Sequence, residues 1–211
     1  TGANEEDWKD VDYDYFDEDF LALNIEMDNS RFVAPYKLET IENFVAKGGQ
    51  EVTVFVDELN VGGDLIIEGN TTLIVKSANG ININGNLILK EGARLTVPST
   101  IENNYVVLEL DVAGDVILLD GAQISLDGKG YNLRHTGGPE GELDSTASGS
   151  WACHGGVRFK SNNRNCAYGR YDNPMFAGSA GINSGTTYPA LGGGVLKLKA
   201  NNLEIAATAS I

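Results

Sequence analysis

The sequence predicts an all-β chain folded as a right-handed parallel β-helix, a solenoid of short stacked strands. A short unit that begins with glycine occurs three times, starting at Gly63, Gly85 and Gly114. Counted from each glycine, apolar residues fall at offsets +2, +4, +10 and +12, and a second glycine follows at +6 or +7. Two short alternating strands separated by a glycine turn are the simplest structure with that spacing.

The distance between the units decides which repeat fold they form. Gly63 and Gly85 are 22 residues apart, and Gly85 and Gly114 are 29 apart. These periods are too short for propeller blades, and the helical pattern of leucine-rich repeats is missing. Each unit has too little apolar surface to fold alone, so the units must stack, and a looser fourth copy runs from Gly193 to Ile205. Stacking at this period favours a parallel β-helix, whose usual hand is right-handed.

Size and composition agree with one solenoid domain, which we place at residues 31–211. A chain of 211 residues can bury about 70% of its unfolded surface in one domain, so it needs neither a metal nor a cofactor to fold. Its 26 glycines and 5 prolines suit a fold with many tight turns. No stretch approaches the ~20 apolar residues of a membrane span. The first residues do not resemble a signal peptide, so we expect a removed leader or an excerpt of a longer chain.

The charge balance excludes one class of partner. With a net charge of -15, the chain lacks the clustered lysine and arginine that phosphate backbones require, so we expect no nucleic acid. The same charge is compatible with an extracellular surface that stays dispersed by repulsion or recruits cations.

Residues 1–30 are predicted to form an acidic arm. Eleven of them are Asp or Glu, and large aromatic residues lie among these: Trp8, Tyr13, Tyr15, Phe16 and Phe20. Two interpretations stay open. The arm is either a flexible charged leader or a segment that docks on another copy or partner, in which case these aromatic residues are assembly contacts.

The start of a calcium loop is also present in the arm. Asp10-x-Asp12-x-Asp14 opens like the loop of a helix-loop-helix calcium site, but Tyr15 stands at its sixth position and Leu21 at its twelfth. That loop requires glycine at the sixth position and a bidentate glutamate at the twelfth. We therefore expect no specific metal site, while weak binding of divalent cations stays open.

Residues 131–192 form a long insertion rich in Gly, Ser and Asn, with hardly any apolar periodicity. A loop of this length is functional, disordered or held by something. Cys153 and Cys166 are the only cysteines and have no metal-ligand spacing. A disulfide between them would stabilise the insertion by roughly 3 kcal/mol and would indicate an oxidising compartment. The alternative is two reduced thiols in a cytosolic chain.

One glycosylation acceptor is present at Asn70-Thr71-Thr72, directly after Gly69. Its position at a predicted turn favours an exposed asparagine that carries a glycan if the chain is eukaryotic and secreted.

The second half of the chain resembles a known family. Its motifs are 124–131 (ISLDGKGY), Cys153-His154-Gly155-Gly156, Cys166-x-Tyr168-Gly169, Pro174 and 192–198 (GGGVLKL). They are similar to the glycine-rich β-helix repeats of large secreted surface proteins from protists, algae and some bacteria, over residues 112–211. The resemblance implies a pectin-lyase-like right-handed β-helix outside the cell, used in surface structures and adhesion.

Enzymatic activity is weighed because β-helices also host polysaccharide lyases and hydrolases. His154-Gly155 and Arg158-x-Lys160 look like fragments of the pectin-hydrolase signature, but its Asn-x-Asp and paired Asp-Asp do not occur. Without a placed acid and base there is no glycoside hydrolysis. His135 and His154 are the only histidines. We therefore expect no catalytic residues.

The sequence favours an extracellular structural protein, a subunit or module of a surface filament or matrix whose β-helices stack end to end. The chain reaches Ile211 within what the pattern predicts as a further strand, so we count Ile211 as an assembly contact. The expected partners are other copies of the chain. The alternative is an adhesion module that stacks sugars on residues of the insertion, namely Trp151, Tyr168, Tyr171 and Tyr188. A polysaccharide lyase or hydrolase is the third hypothesis.

Overall fold

The computed structural model describes residues 19–34, 36–100, 105–131, 176–178 and 191–211. Within these ranges the chain forms seventeen β-strands and no helix. In chain order the strands are β1 (Phe20–Ala22), β2 (Ile25–Asp28), β3 (Arg31–Val33), β4 (Lys37–Thr40), β5 (Phe44–Lys47), β6 (Glu51–Val56), β7 (Glu58–Val61), β8 (Leu65–Ile67), β9 (Thr72–Ser77), β10 (Ile81–Ile83), β11 (Leu87–Leu89), β12 (Arg94–Thr96), β13 (Val107–Val112), β14 (Val116–Leu118), β15 (Gln123–Ile124), β16 (Val195–Lys199) and β17 (Leu203–Ile205).

The strands stack into three sheets, which we call sheets A, B and C. Their strand orders are β1-β4-β7-β10-β13-β16 in sheet A, β2-β5-β8-β11-β14-β17 in sheet B and β3-β6-β9-β12-β15 in sheet C. Neighbouring strands are parallel, as between β5 and β8 or β13 and β16. Each coil runs from sheet A through sheet B to sheet C, so the described residues form six coils. The predicted all-β solenoid of parallel strands is confirmed, while its hand stays a prediction.

In-register pairing places equivalent residues of successive coils directly above one another. In sheet B, Leu65, Leu87 and Val116 form one inward row, and each is 0% exposed. Side chains alternate across a strand, so the residue between two inward positions faces outward. The core is therefore a column of aliphatic rows, in which Phe44 is the largest fully buried side chain.

Each sequence unit accounts for two of the three strands in a coil. The unit that starts at Gly63 supplies β8 and β9, and the sheet A strand of the same coil, β7, precedes it. The fourth copy was assigned out of step, because its two strands pair with β13 in sheet A and β14 in sheet B. The sequence comparison aligned Gly193 and Gly194 with the first glycine of the other units. In the structure Asn201 occupies that position, because its main-chain N–H donates to the carbonyl of Gly114.

The first coil begins at Phe20, ahead of the boundary drawn at residue 31. Met27 of β2 is buried and Ile25 packs against the core, while Glu26 and Asp28 between and after them are exposed. Alternation places the acidic side chains of this stretch in solvent, so the charge is compatible with a strand.

The insertion leaves and re-enters the solenoid at one place. The N–H of Gly130 donates to the carbonyl of Gly192 at 2.7 Å, and the N–H of Tyr131 donates to Gly178 at 3.0 Å. The Tyr131 ring meets the Tyr105 ring in an edge-to-face contact at 5.0 Å. A second small core lies here, formed by Tyr131, Ala177 and Val195. These contacts let the sixth coil stack on the fifth even though 88 residues separate paired positions such as Asp111 and Lys199.

Candidate assembly surface

Each coil carries an Asn or Asp immediately before its strand in sheet B. We call these six residues the Asx ladder: Asn24, Asn43, Asp64, Asn86, Asp115 and Asn202. At the four steps that join the first five coils, the side-chain Oδ1 accepts the main-chain N–H of the next ladder residue, at distances of 2.7 to 2.9 Å. At the last step the Asn202 side-chain amide donates to Asp115 at 2.8 Å. The ladder therefore ties every coil to the one before it.

The ladder keeps its two carboxylates apart. Asp64 lies between Asn43 and Asn86, and Asp115 lies between Asn86 and Asn202, so no two carboxylates are adjacent. Asn86 also donates from its side-chain amide to the Asp64 carboxylate at 3.2 Å. Stacked coils are about 4.8 Å apart, so adjacent carboxylates would repel, whereas the Asn-Asp alternation supplies a donor beside each acceptor.

The repeated glycines allow the coils to approach closely at the ladder. A Cβ on Gly85 would lie 2.3 Å from Asp64 Oδ1 and 2.6 Å from the main chain of Gly63. A Cβ on Gly114 would lie 2.4 Å from Asn86 Oδ1. The N–H of Gly85 donates to Gly63 at 2.8 Å, so these glycines form their own hydrogen-bonded row. Glycine is required at this corner because a Cβ would collide with the preceding coil.

The sixth coil is the last one that the structure describes, and two of its inward positions are exposed. Leu203 pairs with Val116 and Ile205 pairs with Leu118, so both occupy inward rows. Val116 and Leu118 are 0% and 1% exposed, but Leu203 and Ile205 are 47% and 46% exposed. No described coil stacks on these two inward-row side chains, so the sixth coil presents an apolar surface here.

The last residues extend this surface toward sheet C. The Thr208 hydroxyl donates to the Asp120 carboxylate at 3.0 Å and accepts from the N–H of Gly121 at 2.9 Å. Ser210 forms a parallel bridge with Gln123 of β15. Ile211 is 52% exposed. The chain thus starts a third strand of the sixth coil.

The first coil presents a second apolar end. Phe20 pairs with Leu38 in an inward row, yet it is 44% exposed while Leu38 is 1% exposed. Its ring lies 5.8 Å from the ring of Phe32. The N–H of Asn24, which the ladder pattern would pair with a preceding coil, forms no hydrogen bond in the part of the chain that the structure describes.

Charged pairs cover the outer face of sheet A. Lys197 pairs with Glu109 at 2.9 Å and Lys199 pairs with Asp111 at 2.8 Å, so both link the sixth coil to the fifth. Lys37 donates to Glu39, and this hydrogen bond is the main cause of the raised pKa of Lys37. Exposed pairs of this kind stabilise little and keep this face hydrated.

Several predicted site residues fall within the described chain. Phe20 and Ile211, predicted assembly contacts, lie at opposite ends of the stack and are exposed. Asn70 is exposed at a turn with a positive φ of 59° and is followed by buried Thr71 and half-buried Thr72. Its position is compatible with an accessible acceptor, and glycosylation stays a prediction.

The remaining predicted site residues lie outside the described residues, and their assignments stay predictions. They are the arm residues Trp8, Tyr13, Tyr15 and Phe16, the cysteines Cys153 and Cys166, and the proposed sugar-stacking residues Trp151, Tyr168, Tyr171 and Tyr188.

Sequence reasoning missed Leu203 and Ile205 as surface residues. It identified them as apolar strand positions, but burial of an apolar row depends on whether a coil stacks above it. The ladder was also missed, although an Asn or Asp directly before each apolar pair, as in Asn43-Phe44, is a readable signal.

Comparison with models of known protein families, with curated proteins and with solved structures found no match for this chain. Among the residues described, no helix has the length and apolar character needed to cross a membrane.

Proposed function

We propose that this chain is a structural subunit or module of an extracellular filament or matrix, in which copies join end to end. The exposure of Leu203 and Ile205 carries this proposal, because these two residues continue rows that are fully buried from the second coil to the fifth. A further coil placed on them would bury aliphatic surface and pair two edge strands.

The two ends match each other in pattern. Parallel stacking of the first coil on the sixth coil of another copy would place β1 beside β16 and β2 beside β17. Ile25 would then cover Leu203, as Phe44 covers Ile25 within one copy. The N–H of Asn24 would meet the Oδ1 of Asn202, which extends the Asx ladder across the joint. Strand addition of this kind draws its affinity from main-chain hydrogen bonds.

The extracellular assignment rests on sequence features. The resemblance to glycine-rich β-helix repeats of secreted surface proteins supports it, as does the exposed position of Asn70 in its glycosylation motif. A disulfide between Cys153 and Cys166 is a further prediction of the same assignment. The net charge of -15 is carried by the whole chain and is compatible with an extracellular protein whose copies repel each other except where they make specific contacts.

Sedimentation velocity across a range of protein concentrations tests the proposal. The wild-type chain should form species that grow with concentration, and Leu203→Asp should remain a single copy because a carboxylate then occupies the joint. Leu119→Asp is the matched control. Leu119 is 39% exposed and follows β14 on the side of the solenoid, so this variant should assemble like wild type.

Circular dichroism confirms that both variants are folded before they are compared. Monomeric wild-type protein at all concentrations would contradict end-to-end joining. Equal loss of assembly in Leu203→Asp and Leu119→Asp would contradict the assigned surface.

A further inference from the structure

One outward row of sheet A carries a charged residue in five of the six coils. In-register pairing stacks its members in this order: Asp19, Lys37, Glu58, Gly80, Glu109 and Lys197. Asp19 directly precedes β1, and the N–H of Lys37 donates to its carboxylate at 3.3 Å. A Cβ on Gly80 would lie 3.5 Å from the Glu109 side chain. We call these six residues the sheet A charge row.

Within one copy, a lysine of the charge row lies between two carboxylates. Asp19 precedes Lys37 in the row, and Glu58 follows it. A hydrogen bond to Glu39 is the main cause of the raised pKa of Lys37, and the negative charges of Glu58 and Asp19 raise it further. The row thus places a cation between coils that each supply a carboxylate, and opposite charges about 4.8 Å apart attract.

The two ends of the charge row carry opposite charges. Lys197 pairs with Glu109 of the fifth coil at 2.9 Å, and its side chain is still 34% exposed. No described coil stacks on its other side. Asp19 contacts Lys37 of the second coil, and no described coil precedes it. A cation at one end and a carboxylate at the other are therefore each open to a partner.

We propose that Lys197 of one copy pairs with Asp19 of the next copy across the end-to-end joint and thereby strengthens joining of the matched ends. This inference rests on the end-to-end joining proposed above and names the side chains that would recognise each other. Stacking that continues the inward row from Leu198 to Phe20 of the next copy also places Lys197 beside Asp19. A second copy fits this end because its first coil brings a carboxylate to the position that the row requires.

A second charged contact of the joint opposes assembly. Glu204 lies at the end of the outward row of sheet B that starts at Glu26, so stacking places these two carboxylates beside each other. Within one copy, Lys47 already forms an ion pair with Glu26, which reduces this repulsion. The pair formed by Lys197 and Asp19 would offset what remains of it.

Charge reversal at two lysines of β16 tests the pair by sedimentation velocity across a range of protein concentrations. Lys197→Glu would place a carboxylate opposite Asp19, and we expect the concentration for half-maximal assembly to rise about tenfold or more. Lys199→Glu is the matched control, because Lys199 also pairs with a carboxylate of the fifth coil, Asp111. Across the joint Lys199 faces the uncharged Leu21, so its reversal should change that concentration less than about threefold.

Exchange of the two charges tests direct pairing. Asp19→Lys in the same chain as Lys197→Glu should return the half-maximal concentration to within about threefold of wild type. Added salt should narrow the difference between Lys197→Glu and Lys199→Glu, because the ends of the row are exposed to solvent. Circular dichroism confirms that each variant is folded. If Lys197→Glu fails to fold, comparison of Lys197→Gln with Lys199→Gln decides instead.

The outcomes separate this pair from end-to-end joining itself. Assembly of wild type with equal effects of Lys197→Glu and Lys199→Glu would overturn the pair and leave the joining in place. A larger effect of Lys199→Glu would also overturn it, because a joint shifted by two residues places Lys199 opposite Asp19. Failure of the exchanged variant to assemble would contradict direct pairing. Wild-type protein that stays a single copy would overturn both proposals.

Discussion

Asn86→Asp tests how the Asx ladder holds the coils together. The change keeps an oxygen that accepts the N–H of Asp115, now at 2.9 Å. It removes the side-chain amide that donates to Asp64 at 3.2 Å and places three carboxylates in successive coils. The substitution therefore alters charge and one donor with almost no change in shape.

The size of the effect follows from the coil spacing. Two unit charges about 5 Å apart repel by about 0.8 kcal/mol in water and about 3 kcal/mol at an effective dielectric constant near 20. Asp64 and Asp115 are half-buried, so about 1–2 kcal/mol per neighbour is appropriate. Loss of the amide hydrogen bond adds about 1 kcal/mol. We expect Asn86→Asp to lower the free energy of unfolding by about 3–5 kcal/mol at neutral pH.

Urea denaturation followed by circular dichroism measures this loss, with Asn79→Asp as the control. Asn79 is exposed between β9 and β10, and the same charge change there should cost less than about 0.5 kcal/mol. The difference between Asn86→Asp and wild type should shrink toward about pH 4, because protonation of the introduced carboxylate restores a donor and removes repulsion. Equal losses in the two variants, or a penalty that does not change with pH, would refute this account of the ladder.

Three further predictions concern the glycine row, the core and the half-buried Lys129. Gly85→Ala should abolish or severely reduce stability because its Cβ would collide with main chain, whereas Gly193→Ala, with nothing within 4 Å, should be tolerated; thermal unfolding compares them. Leu87→Ala should lower the free energy of unfolding by about 2–5 kcal/mol, and Ile88→Ala on the outer face by less, as urea titration will show. Lys129→Met should raise stability at neutral pH, because burial lowers the pKa of Lys129 and its charged form destabilises the fold below that pKa. The gain should disappear as pH rises through the lowered pKa and beyond 10.5, because Lys129 is then neutral in both the folded and the unfolded chain. A gain that persists above that pH would contradict the charge argument.

The apolar repeat predicted the solenoid because the alternation of each strand and the in-register stacking of the coils both follow from the local spacing of apolar residues. Leu65, Ile67, Leu73 and Val75 are all buried as the offsets required. The other sheet A strands lie outside the units that begin with glycine and were not predicted by the repeat, whereas β16 was predicted as a strand but assigned to the wrong position of its coil. The first coil was missed because its outward positions are acidic, as at Glu26. The acidic composition of this stretch hid the two inward apolar residues, Ile25 and Met27.

The candidate site was less predictable than the fold. Exposure of Leu203 depends on what lies above the sixth coil, which no local pattern encodes.

End-to-end joining of the coils is tested most directly by electron microscopy of the concentrated, unreduced wild-type protein. Six coils about 4.8 Å apart predict unbranched fibres with an axial repeat of about 29 Å per copy, with the 4.8 Å spacing continuous across the joints. Dispersed single particles, or fibres whose strands run along the fibre axis, would contradict stacking of the solenoid ends.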